Sequence, residues 1–371
     1  MASPPPLAEA GAARHYPCLT CGADLVFRPG SDHLLCPYCG AENEIERAGT
    51  DVRELDYHAQ LAALSGASET VEVLTAKCVN CAAETTLRAN ETAAACAFCG
   101  APLSVQAHST RLIKPHALLP FTLDERQARD AFRKWLHGLW FAPNEVRRIA
   151  NGPGPMAGVY VPHWTYDAST TTRYTGQRGV WYYTTETYTT SENGRPVTRT
   201  RQVRHTAWHH AQGTVYVAFD DVIVPGSDTL PAEYRPTVST EDLRALVPFN
   251  EAYLAGFRAE AYAVGLEQGF QAACGLMQPT IDNHIRRDIG GDEQRIGSKA
   301  TDYADVTFKH LLLPLWISVF QYRDRAFRFT VDARTGVVHG ERPWSKVKIA
   351  VAIIAALVLV AVIAIVANAS S

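Results

Sequence analysis

The 371-residue sequence predicts an α+β protein with a cysteine-rich N-terminal part and an apolar C-terminal helix. Three observations support this prediction. One spacing of cysteines occurs twice before residue 100, helical and strand patterns alternate between residues 107 and 342, and residues 349–367 form an uninterrupted apolar run. Residues 1–13 are polar and proline-rich, and we expect them to be disordered.

The cysteines form two copies of the spacing C-x2-C-x14-C-x2-C, which use eight of the nine cysteines. The first copy contains Cys18, Cys21, Cys36 and Cys39, and the second contains Cys78, Cys81, Cys96 and Cys99. Each C-x-x-C turn can present two sulfurs to one metal, and tetrahedral zinc takes four thiolates. Disulfide bonds are the alternative, but so regular a pairing favours metal. We therefore predict two zinc ribbons, at residues 14–48 and 71–106, with one zinc ion each.

The predicted zinc ions are structural. About thirty residues bury too little apolar surface to fold alone, and zinc binding contributes roughly 10–16 kcal/mol in small zinc peptides. Four protein ligands close the coordination sphere, so a catalytic water has no open position. In the first ribbon we expect residues 25–27 to pair with residues 33–35, and in the second residues 85–88 to pair with residues 92–95.

The C-terminal run at residues 349–367 contains nineteen apolar residues and no charge. As a helix it would be roughly 28 Å long, close to the ~30 Å hydrocarbon core of a bilayer. The nearest charges all precede it: Arg342, Lys346 and Lys348. The positive-inside rule therefore places residues 1–348 in the cytoplasm, with Trp344 of the juxtamembrane segment 343–348 at the interface. Because no apolar signal core begins the chain, we predict a single-pass, tail-anchored protein of the plasma (inner) membrane.

The charge distribution argues against a nucleic-acid-binding surface. The chain has a net charge of −3, and residues 14–47 hold three arginines against five carboxylates. Ribbons that bind nucleic acid usually need a concentrated cationic face, because their affinity comes from neutralising phosphates. We therefore expect cytoplasmic protein partners, and the lipid bilayer through residues 349–367, rather than nucleic acid.

Residues 107–342 are predicted to form the α+β domain, and residues 49–70 a helical linker with an amphipathic helix at 51–64. Within the domain, a pattern of L-x-P-F, a helix and a strand with x-x-P-x-W occurs twice. Its copies begin at Leu118 and Leu246. The strand motifs are Tyr160-Val-Pro-His-Trp164 and Leu312-Leu-Pro-Leu-Trp316. This repetition favours an internal duplication.

The two helices of this domain have different boundary signals. Thr122 and Glu125 form a capping box, which predicts that the first helix begins there and ends near Pro143. Apolar residues at helical spacing predict a second helix over residues 251–277, which Pro279 ends or kinks.

The dipeptide Asn193-Gly194 is the strongest short hairpin signal in the sequence. A two-residue turn there sets a register in which Glu186 lies opposite Arg201. Residues 181–210 interleave aromatic and basic residues, a composition that can bind single-stranded nucleic acid. The cross-strand pairing of opposite charges favours an ordinary structural hairpin.

Two further patterns suggest chemistry but have simpler explanations. Residues 290–293 read Gly-Gly-Asp-Glu, which resembles the signature of diguanylate cyclases, but Gln294 stands where those enzymes have phenylalanine. A helix C-cap explains the glycines. His284 and Asp288 lie one helical turn apart near Asp282, yet no third strong ligand is spaced to join them. Since P-loop, G-x-S-x-G and H-E-x-x-H motifs are absent from the sequence, we predict no catalytic residues.

The knuckles that begin at Cys18 and Cys36 resemble those of transcription-factor-B-type zinc ribbons, and the second pair resembles them with Ala82 in place of a glycine. The wider chain resembles an uncharacterised bacterial family of zinc-ribbon membrane proteins, which are often labelled primosomal-helicase-like because of their ribbons. The motifs that carry this resemblance lie at residues 160–164, 307–316 and 335–343. The resemblance implies no known reaction, and without a P-loop helicase activity is not supported.

The expected function is therefore that of a tail-anchored scaffold that presents two zinc ribbons to cytoplasmic proteins. Phe27, Tyr38 and Phe98 are the expected apolar anchors for a partner. One alternative is a membrane-tethered nucleic-acid-binding protein, which a continuous cationic stripe would favour. The other is an enzyme with a dispersed site in the α+β domain, which a pocket collecting carboxylates and histidines from both halves would favour.

Overall fold

Three strands of 36, 31 and 30 residues dominate the fold in a computed structural model of the chain. The structure describes residues 16–46, 52–64, 70–79, 83–86, 93–96, 98, 101–104, 108–144, 156–192, 195–228, 230, 234, 238, 240–322, 325–341 and 344–369. The helices within these ranges are α1 (Tyr57–Leu64), α2 (Glu125–Gly138), α3 (Thr240–Leu243), α4 (Leu266–Ile289) and α5 (Lys346–Ala369).

The strands carry the labels β1 to β17 in chain order. They are β1 (Val26–Phe27), β2 (His33–Leu35), β3 (Glu42–Glu44), β4 (Leu55–Asp56), β5 (Thr70–Lys77), β6 (Glu84–Thr86), β7 (Ala93–Ala95), β8 (Pro102–Ser104), β9 (His108–Ile113), β10 (Ala117–Leu118), β11 (Ala157–Glu192), β12 (Arg195–Pro225), β13 (Val247–Pro248), β14 (Arg258–Ala259), β15 (Glu293–Tyr322), β16 (Arg325–Asp332) and β17 (Val338–Gly340).

One nine-stranded sheet holds the three long strands together. β11 lies between β12 and β15 and is antiparallel to both, while β15 leads through β10 to β13. α4 packs on the long strands through a row of buried residues at helical spacing. These residues are Ala273, Met277, Ile281 and Ile285. They meet Trp164, Tyr166 and Phe308 of the sheet, so the core is the mixed α+β layer that the sequence predicts.

The two copies of the repeated strand motif lie side by side in this sheet, on the neighbouring strands β11 and β15. Tyr160 pairs with Pro314, and Pro162 pairs with Leu312. The short strands β10 and β13, which precede the two helices, also pair with each other in antiparallel register. This is the register that a local two-fold axis between the copies would produce, and it favours the predicted duplication.

The hairpin of β11 and β12 has the predicted register. Glu186 pairs with Arg201, and Glu192 pairs with Arg195. Its turn, residues 193–194, lies outside the described part of the chain. β15 accompanies β11 only as far as Gly179, so β11 and β12 continue as a two-stranded arm. Thirteen further residues of β11 give the arm a length of about 40 Å.

The capping box of α2 lies two residues later than predicted. Asp124, rather than Thr122, is the N-cap: its carboxylate accepts a hydrogen bond from the Gln127 backbone N–H, and the Gln127 side chain accepts one from the Asp124 N–H. Thr122 is held outside the helix because its N–H donates to Ala333 O. The prediction of Glu125 as the third helical residue was wrong for the same reason, and the helix also ends earlier than predicted.

The predicted helix over residues 251–277 has the wrong bounds, since only its part from Leu266 onward is α-helical. A 3₁₀ turn at Glu251–Leu254 and strand β14 occupy its first part, and α4 begins only at Leu266. Backbone hydrogen bonds to distant residues keep this first part out of the helix. Ala255 O accepts from the Phe27 N–H, and the Ala261 N–H donates to Glu84 O. α4 then continues through Pro279 to its end, where buried isoleucines pack against the sheet.

The predicted helix at 51–64 is shorter, since only Tyr57–Leu64 is helical. β4 comes first and pairs with β15, and the helix α1 follows it. Tyr57 and Gln60 are its buried residues, whereas His58 is exposed. Asp56 begins the helix by accepting a hydrogen bond from the Ala59 N–H at 2.6 Å.

The first cysteine-rich segment is part of the main hydrophobic core. β1, β2 and β3 form a small antiparallel sheet in which Phe27 pairs with Leu34, as the predicted hairpin requires. The Phe27 ring is buried against Tyr253 and Phe257, at centroid distances of 5.1 and 6.2 Å. Its N–H donates to Ala255 O. Phe27 is therefore a core residue, and its prediction as an exposed anchor was wrong.

The second cysteine-rich segment packs on the same sheet. Phe98 is buried in a cluster with Val159, Val161 and Ile317, so it is not the exposed anchor that the sequence suggested. β6 pairs with β5, and β7 pairs with β8. The predicted turn between residues 85–88 and 92–95 falls largely outside the described residues.

The C-terminal helix α5 projects from this fold with its side chains exposed. Its window Lys346–Ile363 has a mean hydropathy of 2.7, and none of it is buried. A helix of this length and composition could span a membrane, as predicted for residues 349–367.

Candidate metal centre

The first two C-x-x-C turns have nearly the same backbone geometry. In one, the Gly22 N–H donates to Cys18 O at 2.8 Å, and in the other the Gly40 N–H donates to Cys36 O at 3.0 Å. Both glycines have positive φ, at 75° and 72°. A residue with a side chain is strained in that conformation, which explains the glycine after each knuckle.

These turns bring four thiols together. The sulfurs of Cys18 and Cys39 lie 3.5 Å apart, as do those of Cys21 and Cys36. All four sulfurs lie within 4.8 Å of one another. A tetrahedron with metal–sulfur bonds of about 2.3 Å has edges of about 3.8 Å, so the four thiols could hold one metal ion. An all-sulfur tetrahedron suits zinc or iron.

The electrostatics of the cluster favour a bound cation. Backbone N–H groups of Cys21 and Thr20 lower the pKa of the Cys18 thiol to about 6. For Cys39 the Ala41 N–H lowers the pKa, but the thiols of Cys18, Cys36 and Cys21 outweigh it and raise the pKa to about 12. The fourth thiol therefore keeps its proton unless a positive ion balances the others, and a metal ion would replace that proton.

The second set of cysteines shares the backbone signature of the first. The Cys78 N–H donates to Ala83 O and the Cys96 N–H to Ala101 O, each at 2.8 Å. The same bond, from the first cysteine of a knuckle to the residue five positions later, occurs at Cys18 and Cys36. In all four knuckles this first cysteine is buried. Their partners Cys81 and Cys99 lie outside the described residues.

The tips of three knuckles expose apolar side chains. Leu19, Tyr38 and Val79 each lie between the two cysteines of a C-x-x-C turn and are 83–90% exposed. Tyr38 is the one residue of the three predicted anchors that the structure places at the surface. The other two tips were missed by the sequence analysis, and their position inside a C-x-x-C turn is no sufficient signal, since Phe98 has such a position and is buried.

Three of the four arginines of the long arm have partners among the described residues. Arg201 pairs with Glu186 at 3.0 Å, and Arg199 pairs with Glu192 at 2.7 Å. The guanidinium of Arg204 lies over the Trp181 ring, 4.1 Å from its centroid. The arm therefore has the paired charges that the hairpin prediction expected.

The other two sequence patterns have structural roles. Gly290 ends α4 with a φ of 64°, and its N–H donates to Arg286 O, which is the helix C-cap that the sequence suggested for the Gly-Gly-Asp-Glu segment. Asp288 accepts a hydrogen bond from the Tyr174 hydroxyl at 2.6 Å. Asp282 forms an ion pair with Lys299. The carboxylates near His284 are thus bound to the sheet.

One cluster of carboxylates was not identified from the sequence. Glu54, Asp167 and Asp220 approach one another where the β11–β15 pairing shifts register. The buried Lys309 ammonium bonds Glu54 at 2.8 Å and Asp221 at 2.7 Å. Its residues come from four distant segments, so no local spacing could have predicted it.

The pKa values of two carboxyls in this cluster shift in opposite directions. Hydrogen bonding to Asp167, and then to Lys309, lowers the pKa of Glu54 to about 2. Burial, and then Glu54, raises the pKa of Asp167 to about 6. Asp167 therefore takes up a proton at a higher pH than Glu54, and the Lys309 ammonium offsets part of the negative charge of the cluster.

A cleft with a free volume of about 10 Å³, room for about one water molecule, lies in the α+β domain. Its polar lining comes from Tyr234, Asp242, Asp332 and Arg334. Arg334 pairs with Asp242 at 3.5 Å, while its Nε and Nη1 are buried and have no hydrogen-bond partner among the residues that the structure describes. Behind it, His163 is fully buried, which lowers its pKa to about 4 and keeps it neutral. The cleft is smaller than the roughly 300–1,000 Å³ of typical ligand sites.

Comparison with known proteins identifies a distant relative. The chain is 25% identical over 343 residues to "Uncharacterized protein YdjG" of Bacillus subtilis (strain 168). The match covers 90% of this chain and 92% of that protein, so the similarity extends over nearly the whole length of both proteins. No protein-family profile and no solved structure matches the chain.

Proposed function

We propose that the chain is a membrane-anchored zinc protein whose ribbons bind cytoplasmic protein partners. The observation that carries this proposal is the exposure of Leu19, Tyr38 and Val79 at the knuckle tips. Each is held between two cysteines, so it is fixed by the ribbon while its side chain stays in solvent. Fixed, exposed apolar and aromatic side chains are what protein interfaces use as anchors.

In this proposal the metal is zinc, and there are two ions. Four thiolates suit zinc, and a closed coordination sphere gives the ion a structural role. The hydrogen bonds of Cys78 and Cys96 repeat those of the first centre, which supports a second one. A reducing cytoplasm keeps such thiols available for metal rather than for disulfides.

The membrane location rests on α5. The cationic residues near it precede its apolar part, which favours a cytoplasmic position for the ribbons. The anchor would confine the ribbons to the membrane surface, where partner binding would recruit or retain other proteins.

Two rival functions have less support. A nucleic-acid-binding arm needs unpaired cations, whereas Arg199 and Arg201 already pair with glutamates. An enzyme would need the cleft beside Arg334 to admit a substrate, and that cleft is small, with a neutral histidine behind it.

Site-specific photo-crosslinking tests the proposal. A photoreactive amino acid at position 38 of the full-length chain, in its native membrane, should give discrete adducts with cytoplasmic proteins. The matched control is position 216, since Tyr216 is an exposed aromatic residue on β12 rather than on a ribbon. Equal adducts at positions 38 and 216, or none at positions 19 and 38, would contradict partner binding through the knuckles.

A further inference from the structure

The base of α5 is fastened to a loop that lies two hundred residues earlier in the chain. The Ser345 N–H donates to Phe141 O at 2.8 Å. The Lys348 ammonium donates to Ala142 O at 2.7 Å and to the Asn144 side chain at 2.8 Å. α5 therefore leaves the folded domain from a fixed point, directly beside the loop that follows α2.

Three aromatic side chains surround that point. Trp140 is 83% exposed, Trp344 is 61% exposed and Phe141 is 38% exposed. The rings of Phe141 and Trp344 lie 6.2 Å apart between centroids. By contrast, Trp164 and Trp316 of the domain are buried. Two exposed tryptophans, one next to Phe141 in the chain and the other in ring contact with Phe141, indicate a surface that something covers in a chain that buries other tryptophans.

We infer that Trp140, Phe141 and Trp344 form a foot that rests in the headgroup layer of the bilayer that α5 spans. The inference rests on the proposed membrane anchor. Trp344 lies five residues before the apolar run, or roughly 8 Å along a helix, and the headgroup layer is about 5–8 Å thick on each side. Tryptophan prefers this layer because its ring is apolar while its N–H still reaches polar groups.

The hydrogen bonds of Lys348 fit the same position. This lysine is the last charge before the apolar run. Its ammonium is satisfied by Ala142 and Asn144, which belong to the folded domain. The lysine thus joins the domain to the helix at the depth where the hydrocarbon begins. With two contacts, the helix and the foot, the domain would hold one orientation on the membrane.

Quenching of tryptophan fluorescence by brominated lipid tests this foot. The full-length chain, which contains seven tryptophans, is reconstituted into phosphatidylcholine vesicles whose acyl chains carry bromine near the headgroup. Flotation of the vesicles first shows whether the chain is anchored. Trp140→Phe and Trp344→Phe should each remove about half of the quenchable signal, because these two rings would lie at the interface. The control Trp181→Phe, on the arm, should leave it unchanged.

The possible results separate the foot from the anchor. If the chain floats with the vesicles but Trp140→Phe is quenched like the wild type, the foot is wrong while the anchor stands. That result would indicate a protein as the cover of this surface. If the chain does not float with the vesicles, both the anchor and the foot that depends on it are wrong.

Discussion

At the scale of single residues, the thiols of the first centre differ most in how readily they lose a proton. The pKa of Cys18 is about 6 and that of Cys39 is about 12, although their sulfurs lie 3.5 Å apart. Backbone N–H groups favour the first thiolates, and those thiolates then oppose ionisation of the last. A bound dication removes this opposition, so metal binding should release protons and should weaken as the pH falls.

Replacing Cys36 by alanine should remove the first metal ion and leave the second in place. Cys36 is a buried member of the four-thiol cluster, whereas the second set of cysteines packs in a different hydrophobic cluster. The zinc content of the purified full-length protein, measured by elemental analysis, should therefore fall from two ions per chain to one. Cys274→Ala is the control, since Cys274 lies in α4 outside both sets, and it should retain two ions. Two ions after Cys36→Ala, or iron in place of zinc, would refute the assignment.

The sequence could predict the thiols that meet but not the aromatic residues that stay exposed. A C-x-x-C turn constrains its own two sulfurs, so the spacing alone indicates the ligands. The exposure of Phe27 depends instead on Tyr253 and Phe257, which lie more than two hundred residues away. Tyr38 is exposed, whereas Phe98, at the same position of its own C-x-x-C turn, is buried against Val159 and Val161 of the sheet, so the position within the turn does not determine exposure.

At the scale of secondary-structure elements, α4 shows how closely helix and sheet pack. Gly269 faces the sheet where the Tyr166 hydroxyl donates to Leu266 O at 2.7 Å. A methyl group at Gly269 would lie 3.0 Å from Cδ1 of Trp164 and would also collide with the Tyr166 hydroxyl. At Gly275, an exposed position of the same helix, such a methyl group would lie more than 4 Å from every described atom beyond the helix's own backbone and its two chain neighbours.

These two glycines should respond in opposite directions to substitution by alanine. Gly269→Ala should lower the free energy of unfolding by about 1–3 kcal/mol, because the added methyl group overpacks the interface. Gly275→Ala should raise it by about 0.5–1 kcal/mol, because alanine loses less backbone entropy in a helix. Chemical denaturation of the full-length protein in detergent measures both. A change of the same sign in both variants would contradict this packing.

Element boundaries were predictable only where a local signal determined them. One turn at Asn193-Gly194 determines the register of every pair along the arm, so the pairing of Glu186 with Arg201 followed from it. The start of α2 instead depends on a hydrogen bond from Thr122 to Ala333, and the start of α4 depends on contacts made by both ribbons. Such distant contacts leave no trace in the local sequence.

At the scale of the whole molecule, both ribbons are hydrogen-bonded to the α+β domain. The Phe27 N–H of the first ribbon donates to Ala255 O, and Glu84 O of the second ribbon accepts from the Ala261 N–H. One short segment of the α+β domain therefore holds both ribbons. The sequence predicted ribbons that are separate from the α+β domain, because their cysteines are clustered. The apolar residues that join them to the sheet, such as Phe27 and Phe98, are too few to reveal that contact in advance.

Deleting residues 349–367 should release the protein from the membrane without unfolding it. The window of α5 that could span a bilayer is not buried, so its removal takes no packing from the core. Fractionation should show the shortened chain in the soluble fraction, with the metal content of the full-length protein. Trp140 and Trp344 would remain, but a small aromatic contact alone gives only weak, reversible membrane binding.

The orientation of the full-length chain should follow from its charges. A reporter fused to the N-terminus should read as cytoplasmic, because the cations Arg342, Lys346 and Lys348 lie on the N-terminal side of the apolar run. Protease added outside spheroplasts should therefore leave the ribbons intact and should digest them only after the membrane is opened. Digestion in intact spheroplasts would reverse the orientation and would exclude cytoplasmic partners. Membrane retention of the shortened chain would show that α5 is not the anchor.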